Sequence, residues 1–165
     1  MTHSCLTKTT PVLLKQAIKW FFSAAKQKDP LGQYYLGELY AKGKGVPQNY
    51  KDATKWYRLA ANQGDSKSQF ILGEMYDFGR GVKQDYQEAI EWYFLAVKQN
   101  DASAQSSLGL MYQYGYGVKQ NYDEALRLFY LSAAQKDSYA QSNLGYMYRK
   151  GIGVQQNHKE AIKWY

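Results

Sequence analysis

Apolar positions along this chain fall into short blocks with helical spacing. Gly32, Leu36, Leu39 and Tyr40 are followed later by Ser68, Leu72, Met75 and Tyr76, then Ala104, Leu108, Met111 and Tyr112, then Ala140, Leu144, Met147 and Tyr148. Each set has the spacing i, i+4, i+7, i+8, which places one apolar stripe on an amphipathic helix. A second block type alternates with it. Ala53, Trp56, Tyr57, Ala60 and Ala61 give i, i+3, i+4, i+7, i+8, and Ala89, Trp92, Tyr93, Ala96 and Val97 and then Ala125, Leu128, Phe129, Ser132 and Ala133 repeat it. No stretch has the strict alternation of a half-buried strand, so the pattern predicts an all-α chain of paired helices.

The pairs recur every 36 residues, as Gly73 to Gly109 and the series Ala17, Ala53, Ala89, Ala125 and Ala161 show. This predicts repeats at 29–64, 65–100, 101–136 and a shortened 137–165, preceded by a helix over 11–28. Residues 1–10 are expected to form a flexible segment outside one solenoid domain, 11–165. The short last repeat, ending at Lys163-Trp164-Tyr165, suggests a cut or frayed end, because solenoids normally finish in a polar cap.

Local signals place the boundaries. Asp29, Asp65, Asp101 and Asp137 stand where an N-cap carboxylate accepts from the free N–H groups of the first turn. Gly43, Gly79, Gly115 and Gly151 mark the left-handed ends. Asn49, Asp85, Asn121 and Asn157 open the second helices, with Asp52, Glu88, Glu124 and Glu160 three residues on, the spacing of a capping box. Gly37, Gly73, Gly109 and Gly145 lie inside the first helices, where Gly costs about 1 kcal/mol against Ala. Four such positions predict a neighbour too close for a methyl group.

The residues Ala60-Ala61-x-Gln63-Gly64-Asp65 and Gln69-x-x-Leu72-Gly73-x-x-Tyr76-x-x-Gly79-x-Gly81-Val82 closely resemble the Sel-1-like repeat, a relative of the tetratricopeptide repeat, from about Ala17 to the end. The resemblance implies a right-handed α-solenoid whose first helices line a concave face. It also implies a non-enzymatic adaptor or scaffold for proteins, of the kind found in bacterial signalling, envelope biology, virulence and host interaction, and in eukaryotic endoplasmic-reticulum degradation. A cysteine-rich subgroup carries disulfides and has been linked to β-lactam binding. With Cys5 alone, this chain departs from that subgroup.

Carried over position by position, the resemblance puts Leu31, Tyr34, Glu38, Ala41 and Lys42 of the first repeat on the binding face. Lys67, Phe70, Glu74, Asp77 and Phe78 follow from the second, and Ser103, Ser106, Leu110, Gln113 and Tyr114 from the third. The fourth gives Tyr139, Ser142, Tyr146, Arg149 and Lys150. These positions vary between repeats while the packing positions do not, and aromatics flanked by charges suit an interface hot spot. Aromatics beside packing positions are also what the edge of a core looks like.

Composition adds limits. The sequence has 17 Tyr, 6 Phe and 4 Trp in 165 residues, which a fold must bury or use. The net charge of +7 favours acidic partners in a non-specific way, but the basic residues are dispersed. This leaves a single-stranded nucleic-acid-binding solenoid, with stacking aromatics in a basic groove, as the rival function. Glu38, Glu74 and Asp77 on the same face count against phosphate.

No candidate catalytic, metal or cofactor site stands out. The histidines are His3 and His158, and His158 takes the place of Tyr50, Tyr86 and Tyr122, so it reads as a substituted packing residue. Gly43-Lys-Gly45 and Gly79-Arg-Gly81 look like phosphate loops, yet Gly115-Tyr-Gly117 and Gly151-Ile-Gly153 fill the same place without a cation. No apolar run has the roughly 18 residues of a membrane span. The printed N-terminus lacks the apolar core of a secretory signal, which suggests the cytoplasm, or the periplasm or exterior if a signal has been removed.

Overall fold

The computed structural model describes the backbone of residues 6–165 and the side chains of residues 13–165. Among the described residues there are nine helices and no strand: α1 (Leu6–Lys26), α2 (Pro30–Lys42), α3 (Tyr50–Ala61), α4 (Ser66–Asp77), α5 (Tyr86–Lys98), α6 (Ala102–Tyr114), α7 (Tyr122–Ala134), α8 (Ser138–Lys150) and α9 (His158–Trp164). The chain is an all-α solenoid of tandem helix hairpins. The first helix begins before residue 11, so residues 6–10, expected to be flexible, are helical. Residues 1–5 of that segment, with His3 and Cys5, lie outside the described residues.

Two compact units divide the chain, Met1–Gln84 and Asp85–Tyr165, and the division falls between the two helices of the 65–100 repeat. In the first unit, α2 packs on both α1 and α3, and α3 packs on α4. Ala25, Leu36 and Leu39 are buried against Phe21, Phe22 and Trp56, and Ala53, Tyr57 and Met75 form a second cluster with Tyr34, Ile71 and Val82. In the second unit α6 packs on α5 and α7, and α8 on α7 and α9. Its core is Ala125, Leu126, Phe129, Ala133, Ala140, Leu144 and Met147. The apolar stripes read from sequence are the ones that supply these clusters.

Each aspartate cap forms. The carboxylates of Asp29, Asp65, Asp101 and Asp137 accept from the N–H of Gly32, Ser68, Ala104 and Ala140 at 2.6, 2.8, 2.9 and 2.8 Å. Asp101→Ala is expected to cost about 1 kcal/mol, read as a lower urea midpoint at unchanged slope.

The second-helix caps form by half. The Asn49, Asn121 and Asn157 side chains accept from the N–H of Asp52, Glu124 and Glu160 at 3.1, 3.1 and 3.0 Å. Their own N–H groups donate to the carbonyls of Tyr40, Tyr112 and Tyr148, each at 2.9 Å. No backbone N–H is left for the reciprocal half of a capping box, though at Asn49 the side-chain Nδ2 donates to the Asp52 carboxylate at 2.7 Å. Asp52, Glu124 and Glu160 also pair forward with Lys55, Arg127 and Lys163.

Gly37 and Gly109 have the predicted cause, with the ring of a second helix as the neighbour. A Cβ on Gly37 would lie 2.7 Å from the Tyr57 ring, and one on Gly109 would lie 2.7 Å from the Phe129 ring. Glutamines supply a device the sequence reading missed. Gln48, Gln84, Gln120 and Gln156 reach back seven residues and donate to the carbonyls of Ala41, Asp77, Gln113 and Arg149 at 2.8, 2.6, 2.8 and 2.9 Å. These bonds satisfy carbonyls that a helix end leaves free and lock each linker onto the end of its first helix.

Candidate functional site

The expected binding positions divide by burial. In the first unit Leu31, Lys42, Lys67 and Phe78 are exposed, Phe78 by 57%. Tyr34, Glu38, Ala41, Phe70, Glu74 and Asp77 are half-buried. Tyr34 is committed to packing, because its ring meets Tyr35 edge-on at 5.2 Å and Tyr57 at 6.0 Å between centroids. Burial, with Glu38 adding to it, raises the Tyr34 hydroxyl pKa.

In the second unit Tyr114, Tyr139, Ser142, Arg149 and Lys150 are exposed, and Ser103, Leu110 and Tyr146 are half-buried. Arg149 lies over the Tyr146 ring at 5.6 Å, and Leu110 packs on the core. Gln113 and Ser106 are buried, 2% and 6% exposed, so neither offers a surface. The fixed offset that placed them on the face ignores how deeply each helix is seated.

Charges on the first unit's face are differently satisfied. Glu38 forms an ion pair with Lys42 one turn on. At the matching position of the next repeat Phe78 replaces the lysine, and among the described residues no side-chain hydrogen bond or ion pair within 4 Å joins the Glu74 carboxylate to a partner. Burial pushes its carboxyl above the usual range, with Arg80 opposing and Asp77 adding.

A group raised in the fold contributes stability that is present at low pH and lost as pH rises through the folded value. Glu74→Gln is therefore expected to raise the thermal midpoint at pH 7 and to leave it unchanged in acid. Scanning calorimetry at the two pH values checks this.

Beside Glu74 lies a cavity of about 80 Å3, walled by Tyr50, Tyr57, Ile71, Met75 and Arg80. Tyr57 is 2% exposed, and its hydroxyl pKa is raised by burial first and then by Glu38, Tyr34 and Glu74. In the second unit a wider depression of about 670 Å3 is lined by Tyr112, Val118–Asp123 and Gly153, mostly linker.

Two exposed features escaped the sequence reading. Tyr116 stacks on Tyr86 at 5.3 Å and on Tyr114 at 5.6 Å, a three-ring ladder in the second unit. Leu59, Leu95 and Leu131, 46%, 38% and 41% exposed, stand on second helices. Their spacing of 36 residues was the available signal.

Among the described residues no cluster of three or more His, Cys, Asp or Glu could hold a metal, and no helix is long and apolar enough to cross a membrane. His158 is exposed, with its Nε2 3.4 Å from Gln156 Nε2.

The comparisons agree with this geometry. The Sel1 repeat family model matches residues 10–29, 30–65, 66–101, 102–137 and 138–165. A crystal structure of a Sel1 repeat protein from Oxalobacter formigenes shares 38% identity over 92% of this chain and 62% of that one, with a TM-score of 0.84. The protective antigen c5321 of uropathogenic Escherichia coli, described as displaying an SLR fold, shares 41% identity over 92% of this chain and 32% of its own, with a TM-score of 0.88. A Sel1 repeat protein from Klebsiella pneumoniae, at 22% identity and a TM-score of 0.65 over 89% of this chain and 70% of its own, supports the fold alone. This chain thus spans less than two thirds of the first two relatives. Among curated proteins, none matches significantly.

Proposed function

The chain belongs to the Sel1 repeat family, whose members are generally non-catalytic scaffolds that bind proteins, and from that premise we propose that it docks a peptide segment of a partner protein on exposed aromatics that each unit presents from its own first helices. The observation that carries the reading is the exposure of Phe78, Tyr114 and Tyr139, 57%, 52% and 76%, on helices whose packing positions are otherwise buried. A soluble scaffold gains nothing for its own stability by leaving large rings in water, whereas such rings are the anchors that dominate binding energy. Arg149 and Lys67 add polar contacts at the rim. Each unit holds its helices in place by caps and glutamine locks, and a rigid surface loses less entropy on binding.

The test is capture from lysate of the native cell by the parent and by a variant with Phe78, Tyr114 and Tyr139 changed to Ser. These side chains are exposed, so helicity by circular dichroism is expected to be unchanged. A protein held by the parent and lost by the folded variant is the expected result. Equal capture by both would move the site to the second helices, where Leu59, Leu95 and Leu131 stand exposed. Recovery of RNA alone, weakening steeply with salt, would replace the reading with a nucleic-acid one.

A further inference from the structure

The cavity beside Glu74 combines features that the rest of the first unit's face lacks. Its carboxylate has no ion-pair partner among the described residues, because the lysine that neutralises Glu38 is replaced one repeat later by Phe78. Its walls are apolar and aromatic: Ile71 and Met75 from α4, Tyr57 and Tyr50 from α3. The mouth is held in shape. The Gln48 side chain donates to the Ala41 carbonyl at 2.8 Å and to the Tyr50 hydroxyl at 3.2 Å, tying Tyr50 to the end of α2. The Thr54 hydroxyl bonds the Tyr50 carbonyl at 2.8 Å and lies 3.5 Å from the Met75 sulfur.

We propose that this cavity anchors a lysine side chain of the docked peptide, an assignment that rests on the docking reading above and names the residue type it selects. A carboxylate in a small, largely apolar space lined by tyrosines attracts a cation through charge. The four-carbon stem of lysine lies along Ile71 and Met75 while its compact ammonium meets Glu74. A planar guanidinium is wider than an ammonium, and in a space of about 80 Å3 that Arg80 already borders the compact ammonium is the better fit. Arg80, on the cavity's rim, is the built-in competitor. Its guanidinium rests over the Phe78 ring at 5.1 Å, beyond ion-pair distance of Glu74. It acts on Glu74 through space, and it opposes an arriving cation.

The two charges give the test opposite signs. The whole chain, 13C-labelled at Met and Ile methyls, is titrated with the tripeptide acetyl-Gly-Lys-Gly-amide and, separately, with its norleucine analogue, which keeps the stem and lacks the charge. The lysine peptide is expected to shift the Met75 and Ile71 methyls saturably, and the norleucine peptide to leave them. Glu74→Gln should weaken the lysine peptide at least tenfold, and Arg80→Ala should tighten it several-fold. Equal shifts with norleucine, no shift at Met75 and Ile71, or weaker binding by Arg80→Ala would each overturn the assignment. The norleucine arm needs no variant, so it holds even if a substitution disturbs folding.

Failure here is separable from failure of the docking reading. A partner lost by the Phe78, Tyr114 and Tyr139 variant but retained by Glu74→Gln removes the lysine site and leaves the docking surface in place. A partner retained by both variants removes the docking reading itself.

Discussion

Gly109→Leu should lower the thermal midpoint of the chain by roughly 4–8 °C, followed by circular dichroism. Gly109 sits in the middle of α6, and an ideal Cβ there would stand 2.7 Å from Cε1 and 2.9 Å from Cδ1 of Phe129. Phe129 is fully buried in the second unit's core. Two effects compete. Leaving glycine gains up to about 1 kcal/mol of helix propensity, while forcing added carbons into a filled core costs about 1–3 kcal/mol and sometimes more. Leucine adds four carbons where one already collides, so packing wins by roughly 2 kcal/mol, and a domain of this size loses about 2–4 °C per kcal/mol. The neighbour is a side chain and can therefore be trimmed. Gly109→Ala combined with Phe129→Leu should be more stable than the two separate costs predict, and a midpoint for Gly109→Leu equal to the parent's would remove ring contact as the reason for glycine here.

That glycine also marks how far the sequence could be read. The 36-residue step, the aspartate caps and the interior glycines announce themselves locally, because each is set by a residue and its neighbours within one turn or one hairpin. The contact partner of Gly109 was not legible, since it depends on which Phe129 ring face the packed hairpin presents. The half-formed capping boxes fall in the same class. Asn49, Asn121 and Asn157 satisfy their N–H groups on tyrosine carbonyls of the preceding helix, a bond that exists only once the linker has folded back.

The candidate surface was legible in part. Phe78, Tyr114 and Tyr139 are exposed, whereas Tyr34, Phe70 and Tyr146 at comparable positions are half-buried. Gln113 is only 2% exposed. The cavity beside Glu74 was not legible as a cavity: Tyr50 and Arg80 come from opposite ends of two different linkers and meet only in three dimensions. Its one sequence trace was the loss of the i+4 lysine at Phe78.

Gly81→Val should be the more damaging substitution, and no second change in a side chain should rescue it. Gly81 has φ +75°, a conformation that β-branched residues rarely adopt, and an added Cβ would lie 2.3 Å from the Tyr50 carbonyl oxygen and 2.8 Å from the Lys51 nitrogen. The neighbours are backbone atoms at the first turn of α3, which cannot be trimmed. Left-handed strain of about 1–2 kcal/mol adds to a clash of about 1–3 kcal/mol, for a loss of roughly 3 kcal/mol in urea unfolding. The effect should reach the binding chemistry before global unfolding does. Relief requires the start of α3 to move, and Tyr50 is both the residue struck and a wall of the Glu74 cavity. At a temperature where Gly81→Val remains helical, the lysine tripeptide should therefore bind it more weakly than the parent, although no substituted atom touches the peptide. Parental affinity in a folded Gly81→Val chain would mean that the linker glycine and the cavity are independent, and that the second glycine of the linker serves the backbone turn alone.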